Sequence, residues 1–289
     1  MQKKSILEFS RRIREIPTLP SVLMQVNNVL SGNSQTIEAV SGIIEKDPAL
    51  TAKILKLANS SYYGLSYRVD TLKKAITVLG FNTIRNLAFT VSVFNIFNKE
   101  SGTSLDLKGL WYHSLGCAIA SKALLKKMDP LLQEKAFMGG ILHDIGKVII
   151  CQNLPGEMKK ILQVMRTNKS VRQSALEEKL LGFNHAEIGS YIAEKWHFPR
   201  ELVLAINLHH SPLTVSEMNE KKEVEILVSG AYVGNQISKA LALGKSSDII
   251  VTDIVPSTWD LLNITHRELP EILFNIKTMF GDVLSSWEL

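Results

Sequence analysis

The chain has 289 residues, of which 45% are hydrophobic and 21% are charged, and this ordinary globular balance excludes a chain dominated by disorder. Its net charge of +5 permits an acidic partner but does not require one. The sequence has no window of 18 uncharged apolar residues and no secretory signal, so we expect a cytoplasmic protein without a membrane-spanning helix.

Apolar residues recur at helical spacing through the first hundred residues. Asp47 and Pro48 are typical of a helix start, with the carboxylate as N-cap and the proline in the first turn. Ser34 or Thr36 can cap the preceding helix, and Gly80 is expected to end a later one. The pattern predicts helices over 37–44, 48–58, 71–79 and 83–97, followed by a join over 98–109.

The helical period resumes after this join and continues almost to the last residue. Only the Ile-Ile-Val run at 249–251 could form a strand, and it is too short to define a sheet. We therefore predict an all-α fold, a multi-helix bundle in which Pro270 opens the last helix. The further predicted helices cover 110–127, 131–151, 155–165, 172–180, 185–196, 200–209 and 223–243, with two more within 257–289.

The first half also suggests a weaker alternative, nucleic-acid binding. The short helices predicted at 48–58 and 71–79 could mimic a helix-turn-helix, in which a recognition helix exposes polar and basic residues to the bases. The helix that follows, 83–97, is mostly apolar and carries Arg85 as its only basic residue. The pattern is more typical of a buried or partner-facing helix, so nucleic acid is disfavoured.

The two cysteines, Cys117 and Cys151, lie in apolar sequence and form no CxxC pair. A secreted disulfide framework needs several cysteines, so we expect two buried free thiols in a reducing compartment.

Histidine is distributed unevenly, because six of the seven histidines lie between residues 113 and 210. His143 and Asp144 are adjacent and flanked by glycines, and an imidazole with a carboxylate suits Fe, Mn, Zn or Ni. Adjacent helical residues diverge by about 100°, so other helices must supply the remaining ligands. The further candidates are His113 in an apolar helix, His185 after a capping Asn184, and His209-His210 before Pro212.

A single histidine on an apolar helix is more often a satisfied core residue than a ligand. We assign that structural role to His197 and His266. The metal-site hypothesis rests on the other five histidines and Asp144 taken together, in helices that can converge.

In this order, these residues resemble the HD superfamily of metal-dependent phosphohydrolases, and nearly the whole chain resembles an HDOD domain protein. The motifs that carry the resemblance include Asp47-Pro48-Ala49-Leu50, Ala58-Asn59-Ser60, Trp111-Tyr112-His113-Ser114, His143-Asp144-Ile145-Gly146-Lys147 and His185-Ala186-Glu187-Ile188-Gly189. The resemblance implies a helical subdomain of HDOD type over 1–105 and an HD-like helical domain with the metal-type site over 106–289. It also implies a bacterial-type regulator in signal transduction.

The catalytic relatives of this family are the HD-GYP phosphodiesterases, which cleave cyclic di-GMP at a metal cluster. The resemblance to them implies a ligand set of His113, His143, Asp144, His185, His209 and His210. It also implies that Lys147 contacts phosphate, and the alternative is a solvated lysine at a helix end. If the chain is an enzyme, Asp144 and Lys147 are its catalytic candidates.

The departures from the enzymes concern acidic ligands. The carboxylate expected one turn before the first histidine falls near Gly109, and Asp106 could replace it only if the helix extends that far. A later Asp ligand is replaced by Asn235, which offers a neutral oxygen, and no Gly-Tyr-Pro follows His210. Two divalent ions carry four positive charges and Asp144 supplies one negative charge, so we expect one or two ions, with hydrolysis impaired or absent. Fe or Mn is favoured, with Zn, Ni and Mg as alternatives.

Two functions from different classes remain open. The favoured one is a regulatory module that acts by binding a signalling protein or a small ligand, and the alternative is a metal-dependent phosphohydrolase acting on a nucleotide or a cyclic dinucleotide.

Overall fold

A computed structural model describes residues 18–32, 35–97 and 105–287. Every regular element in these ranges is helical, which confirms the all-α prediction, and residues 249–251 are irregular rather than a strand. No helix in the described ranges combines the length and the hydropathy that crossing a bilayer requires. Cys117 and Cys151 are buried free thiols, as expected.

Contacts between Cα atoms divide the chain into two compact units. The N-terminal unit contains the described residues 18–96 together with 277–287, and the larger unit contains Phe97 and 105–276. The domain boundary at 105/106 stays a prediction. The helices of the N-terminal unit are α1 (Ser21–Ser31), α2 (Ile37–Ile44), α3 (Pro48–Ala58), α4 (Leu72–Leu79) and α5 (Phe81–Phe97, whose last residue belongs to the larger unit), with a 3₁₀ turn at Ser61–Tyr63.

Helix starts in the N-terminal unit follow the capping residues of the sequence. Asp47 Oδ1 accepts a hydrogen bond from the Leu50 amide at 3.0 Å, and Pro48 opens α3. Thr36 Oγ1 accepts from the Ala39 amide at 3.1 Å, while Ser34 lies outside the described residues. The four helices predicted here are therefore found within two residues of their predicted starts.

The larger unit holds the remaining helices: α6 (Leu107–Leu124), α7 (Pro130–Leu142), α8 (Ile145–Asn153), α9 (Pro155–Thr167), α10 (Gln173–Leu181), α11 (His185–Lys195), α12 (Arg200–Asn207), α13 (Thr214–Glu217), α14 (Lys222–Ala240), α15 (Pro256–Leu262) and α16 (Leu269–Trp287, which passes into the N-terminal unit at Lys277). α6 lies at its centre and packs against α7 and α14. Leu110, Trp111 and Leu115 are all fully or almost fully buried, and α6 shows little amphipathic character because it is covered on all sides.

Two expectations need correction. The single helix predicted over 131–151 is two helices, because His143 and Asp144 form a turn between α7 and α8. Both helices are apolar, so the spacing of apolar residues continues across the turn and does not mark where one helix ends and the next begins. His197 and His266 are exposed and are not core residues; the left-handed conformation of His197 (φ 58°) places it in the turn between α11 and α12.

Candidate metal centre

Four segments of the larger unit bring the candidate ligands together. His113 lies on α6, His143 and Asp144 form the α7–α8 turn, His185 is the first residue of α11, and His209 and His210 follow α12. These side chains are at most 1% exposed, apart from the partly exposed His210. The convergence that the sequence could only suggest is therefore present in the fold.

A close approach between α8 and α11 depends on Gly146. A Cβ atom built at Gly146 would lie 1.9 Å from the backbone oxygen of His185, a separation that no side chain permits. On the other side, the Asn184 side chain caps α11, and in return the Asn184 backbone amide donates a hydrogen bond to Glu187 Oε2. These two features place His185 opposite the His143-Asp144 turn.

The Asp144 carboxylate is the centre of the arrangement. Its Oδ2 atom lies 3.3 Å from His143 Nε2 and 3.8 Å from His113 Nε2. Its Oδ1 atom lies 3.3 Å from His185 Nε2 and 3.8 Å from His209 Nε2. One carboxylate therefore faces two groups of imidazoles with its two oxygens, which is how a bridging ligand is placed between two ions.

The ligand atoms form two clusters, each with all its ligand atoms within 4.8 Å of one another. Cluster A is His113, His143 and Asp144; cluster B is His185, His209 and His210. Asn235 Oδ1 lies 3.1 Å from His113 Nε2 and so adjoins cluster A.

Hydrogen bonds on the far side of each ring define the orientation of the imidazoles. His143 Nδ1 lies 2.7 Å from the Gly140 oxygen, and His209 Nδ1 lies 2.6 Å from the Ile206 oxygen. A carbonyl accepts only from N–H, so Nδ1 carries a proton in both rings and Nε2 is the atom left for a metal, as in metal-bound histidines. In His143, whose pKa is raised, Nε2 holds a second proton that a bound cation would displace. Each of these Nε2 atoms, and Asp144 Oδ1, lacks a hydrogen-bond partner within the described residues. Buried polar atoms are rarely left unpaired, so this set fits a cation.

The surroundings of His113 support the same conclusion. Ser238 Oγ lies within 3.1 Å of the His113 backbone oxygen and 3.1 Å from His113 Nδ1. Asn235 Oδ1 lies 3.1 Å from the other ring nitrogen, Nε2, so both nitrogens of the His113 ring have a polar neighbour on α14. With the ring proton on Nδ1, shared with Ser238, Nε2 would be free to bind a cation beside the Asn235 oxygen.

Burial controls the charge of the ligands. Desolvation lowers the pKa of His113 and His209 well below the usual range, so these imidazoles are neutral, the form that binds metals. Burial alone would raise the pKa of Asp144, but His143 and Lys147 together hold it well below its usual range. Burial lowers and the Asp144 carboxylate raises the pKa of His143, and the carboxylate prevails, giving a value of about 10. A cation bound beside Asp144 competes with that proton.

Lys147 is fully enclosed, which contradicts the alternative of a solvated lysine. It is 1% exposed, and its Nζ atom lies 2.7 Å from Asp144 Oδ2. Asp144 is the N-cap residue of α8, and Lys147 follows it by three residues, so the two side chains lie on the same side of the helix start. Its ammonium therefore cancels the charge of Asp144 in this structure.

The missing carboxylate near Gly109 is not replaced. Asp106 is the N-cap of α6, where Oδ1 accepts from the Gly109 amide at 2.8 Å and Oδ2 pairs with Lys245 at 3.2 Å. Neither cluster includes Asp106. A side chain at residue 109 would meet the Asp106 carboxylate and Lys245 at 2.8 Å, so the glycine itself is matched to this cap.

One buried carboxylate was not anticipated from the sequence. Glu177, on α10, is 0% exposed, and its Oε2 accepts from both Nδ1 (2.5 Å) and the backbone amide (2.8 Å) of His185. The available signal was its spacing from Leu181, four residues later on α10, which places Glu177 on a face that also carries a buried apolar residue.

Comparison with known proteins agrees with this architecture. The model of the HDOD domain family matches residues 16–212, more than half of the chain. The chain belongs to the HDOD domain family.

Relatives of this HDOD chain carry little functional information in their names. An uncharacterized protein of Treponema pallidum (strain Nichols) is 26% identical over 207 residues, which are 69% of this chain and 38% of that protein. The uncharacterized protein YuxH of Bacillus subtilis (strain 168) is 36% identical over 80 residues, 28% of this chain and 20% of that protein. The chain therefore spans well under half the length of these curated relatives.

Solved structures extend the likeness to the whole fold. An HDOD domain protein of unknown function from Geobacter sulfurreducens superposes with a TM-score of 0.84 at 22% identity, covering 100% of this chain and 99% of the other. A candidate phosphohydrolase from Shewanella amazonensis SB2B gives a TM-score of 0.75 at 25% identity, covering 96% and 97%. The first of these likenesses shows the shared fold alone.

Proposed function

We propose that this HDOD chain is a regulatory module that holds one or two divalent transition-metal ions at clusters A and B and signals by binding a protein partner. The observation that carries the proposal is the make-up of the ligand set: five imidazoles surround one carboxylate, whose charge Lys147 cancels. Clusters with two orphaned Nε2 atoms and an orphaned carboxylate oxygen suit a resident ion. Fe or Mn is the favoured metal.

Burial argues against efficient phosphodiester hydrolysis. The ligand side chains of cluster A are at most 1% exposed, and the partly exposed His210 leaves cluster B as the accessible side. Lys147 is engaged with Asp144, so its ammonium is not free to bind a phosphoryl oxygen. The carboxylates that would balance two divalent ions are replaced by Gly109 and Asn235.

A cavity in the N-terminal unit supports partner binding. It has a volume of about 1020 Å³ and is lined in part by Lys56, Tyr67, Arg68 and Asp70. Asp70 pairs with Lys74 at 2.8 Å, whereas Lys56 and Arg68 have no ion-pair partner in the described ranges of the chain. Tyr67 is 60% exposed. Two unpaired cations beside an exposed aromatic ring suit an acidic segment of a partner protein.

The second candidate function is a metal-dependent phosphohydrolase. It is favoured by the two oxygens of Asp144 facing clusters A and B, and by the likeness to the candidate phosphohydrolase from Shewanella. A bound divalent ion would act as a Lewis acid toward a phosphoryl oxygen. The residues of this chain would hold the ion and exclude water.

Metal analysis with a hydrolysis assay separates the two functions. Untagged protein, purified without chelators, is analysed for metals and assayed on bis(p-nitrophenyl) phosphate and cyclic di-GMP with Mn(II) or Fe(II). We expect about one or two ions per chain in the wild type and no turnover of either substrate by it. Asp144→Asn should lose at least about tenfold in affinity for the metal. The matched control is Asp260→Asn, which changes an exposed carboxylate.

Turnover that is retained in Asp260→Asn and lost in Asp144→Asn would establish the phosphohydrolase instead. Wild-type protein without bound metal, even after incubation with Mn(II) or Fe(II), would contradict the metal-holding module.

A further inference from the structure

Glu177 stands outside the predicted ligand set but touches it. Its Oε2 atom holds both the ring Nδ1 and the backbone amide of His185, which belongs to cluster B. No other ion pair of Glu177 occurs among the described residues, so its buried charge faces His185 alone. A carboxylate that is fully removed from water needs a positive partner in return.

The far side of Glu177 is also occupied. Its Oε1 accepts from Gln173 Nε2 at 2.7 Å, and Gln173 Oε1 accepts in turn from the hydroxyl of Ser247. Gln173 is itself 0% exposed. Both oxygens of Glu177 are therefore fixed, and the carboxylate cannot swing away from His185.

These contacts orient one ligand of cluster B. Because Nδ1 of His185 donates to Glu177, Nε2 is the ring atom that remains for a cation, and it lies 3.3 Å from Asp144 Oδ1 and 2.9 Å from His210 Nε2. The two Nε2 atoms share a hydrogen bond in this structure, and a divalent ion bound by both would replace its proton. A carboxylate behind a ligand histidine also raises the basicity of the imidazole.

The negative charge of Glu177 is important for cluster B because this cluster has little other negative charge. Cluster B contains three imidazoles and no carboxylate of its own, and it shares Asp144 with cluster A and Lys147. The resemblance to the HD-GYP enzymes gave Asp144 as the only carboxylate of the ligand set, and Glu177 adds a second negative charge next to cluster B. We propose that Glu177 is a positioning residue that determines whether cluster B retains a divalent ion, an inference that rests on the proposed metal-holding function.

The test removes the charge and keeps the shape. Glu177→Gln is compared with Glu178→Gln, a change at the neighbouring residue, which is exposed and accepts from Asn184 Nδ2 at 2.7 Å. Both proteins and the wild type are stripped of metal and titrated with Co(II), followed by absorption spectroscopy and by metal analysis after gel filtration. We expect Co(II) binding to cluster B to weaken about 10- to 100-fold in Glu177→Gln and to stay unchanged in Glu178→Gln.

Assignment to cluster B comes from a mutant cycle. His210→Ala alone should remove the same component of the Co(II) spectrum as Glu177→Gln, and the double variant should lose little more. Additive losses would show that Glu177 acts elsewhere than through cluster B. His143→Ala, in cluster A, should remove a different component.

Folding is checked on the same proteins by circular dichroism. If Glu177→Gln does not fold, Glu177→Asp, which retains the charge, and Gln173→Leu, which releases Oε1 only, take its place, with weaker Co(II) binding expected in both. Unchanged Co(II) binding in Glu177→Gln would overturn the positioning role while leaving the metal-holding module intact. A wild type that binds no Co(II) would overturn both.

Discussion

Lys147 and Asp144 show how burial changes the meaning of a charged residue. In the sequence, a lysine three residues after an aspartate at a helix start is compatible with an exposed surface pair. In the structure both are enclosed, and the ammonium lies 2.7 Å from the carboxylate that faces both clusters. A bound cation and Lys147 therefore compete for the same compensating role.

Replacing Lys147 with methionine tests this competition. In metal-free protein, Lys147→Met removes the cation nearest to the Asp144 carboxylate and leaves His143 as its remaining close positive charge, and we expect a loss of unfolding free energy on the order of 3 kcal/mol. With saturating Mn(II) the loss should be much smaller, because the ion supplies the missing charge. Urea unfolding followed by circular dichroism, with EDTA and with Mn(II), measures both values.

The control for Lys147→Met is Lys135→Met. Lys135 pairs with Glu201 at 2.7 Å, with both side chains about a quarter exposed. Its loss should stay below about 1 kcal/mol and should not depend on the metal. An equal loss for Lys147→Met with and without Mn(II) would show that no ion contacts Asp144.

Most of the candidate residues could be predicted from the sequence one by one. The five histidines and Asp144 stood out because six of seven histidines fall in one stretch, and the structure brings these candidates together. Glu177 could not be assigned, because a single glutamate on an amphipathic helix is usually at its solvated edge. Its contact with His185 exists only once α10 and α11 pack.

At the scale of elements, the approach of α8 to α11 sets the geometry of the centre. Gly146 and Gly156 are both the second residue of a helix, so they are matched in local structure. A methyl group at Gly146 would collide with the His185 backbone, whereas one at Gly156 would meet nothing within 4 Å.

Alanine substitution at these two glycines should therefore have opposite effects. Gly146→Ala is expected to destabilise the protein by about 1–3 kcal/mol and to lower its metal content, because His185 must move. Gly156→Ala should be neutral or stabilising by up to about 1 kcal/mol, because it restricts the unfolded chain. Thermal unfolding and metal analysis measure both effects, and a stable, fully loaded Gly146→Ala would show that the close approach is not required.

Helix positions were largely predictable, because caps and apolar spacing act over a few residues. Asp47, Thr36 and Asn184 cap the helices they were expected to begin. The break at residues 143–144 was not predictable from periodicity, since a buried polar turn between two apolar helices leaves the apolar spacing intact.

At the scale of the whole molecule, the two proposed roles lie in different units. The clusters belong to the larger unit, and the cationic cavity near Lys56 and Arg68 belongs to the N-terminal unit. Changes to the cavity should therefore alter partner binding without altering metal content.

Charge reversal in the cavity tests this separation. The proteins are produced in cells and crosslinked there to their bound partner. The double variant Lys56→Glu/Arg68→Glu should recover at least about tenfold less partner protein than the wild type, because an acidic segment of the partner is repelled by the new carboxylates. The matched control is Lys46→Glu with Lys73→Glu, an equal charge change at exposed positions of the same unit. Quantitative mass spectrometry of the crosslinked complexes and metal analysis are the measurements. Equal recovery from both double variants would contradict the assignment of the cavity.

By itself, the sequence determined the all-α class, the helix starts, the family and the set of histidines, because each of these is written in local spacing and in short motifs. Only the tertiary structure decided which oxygen of Asp144 faces which imidazole, that Lys147 is enclosed, and that Glu177 supports His185. The reason is physical: these contacts depend on helices from different parts of the chain, as where His209, after α12, comes within 3.8 Å of Asp144, before α8. The distances and the burial of these side chains are set by how the helices pack, and local sequence patterns do not contain that information.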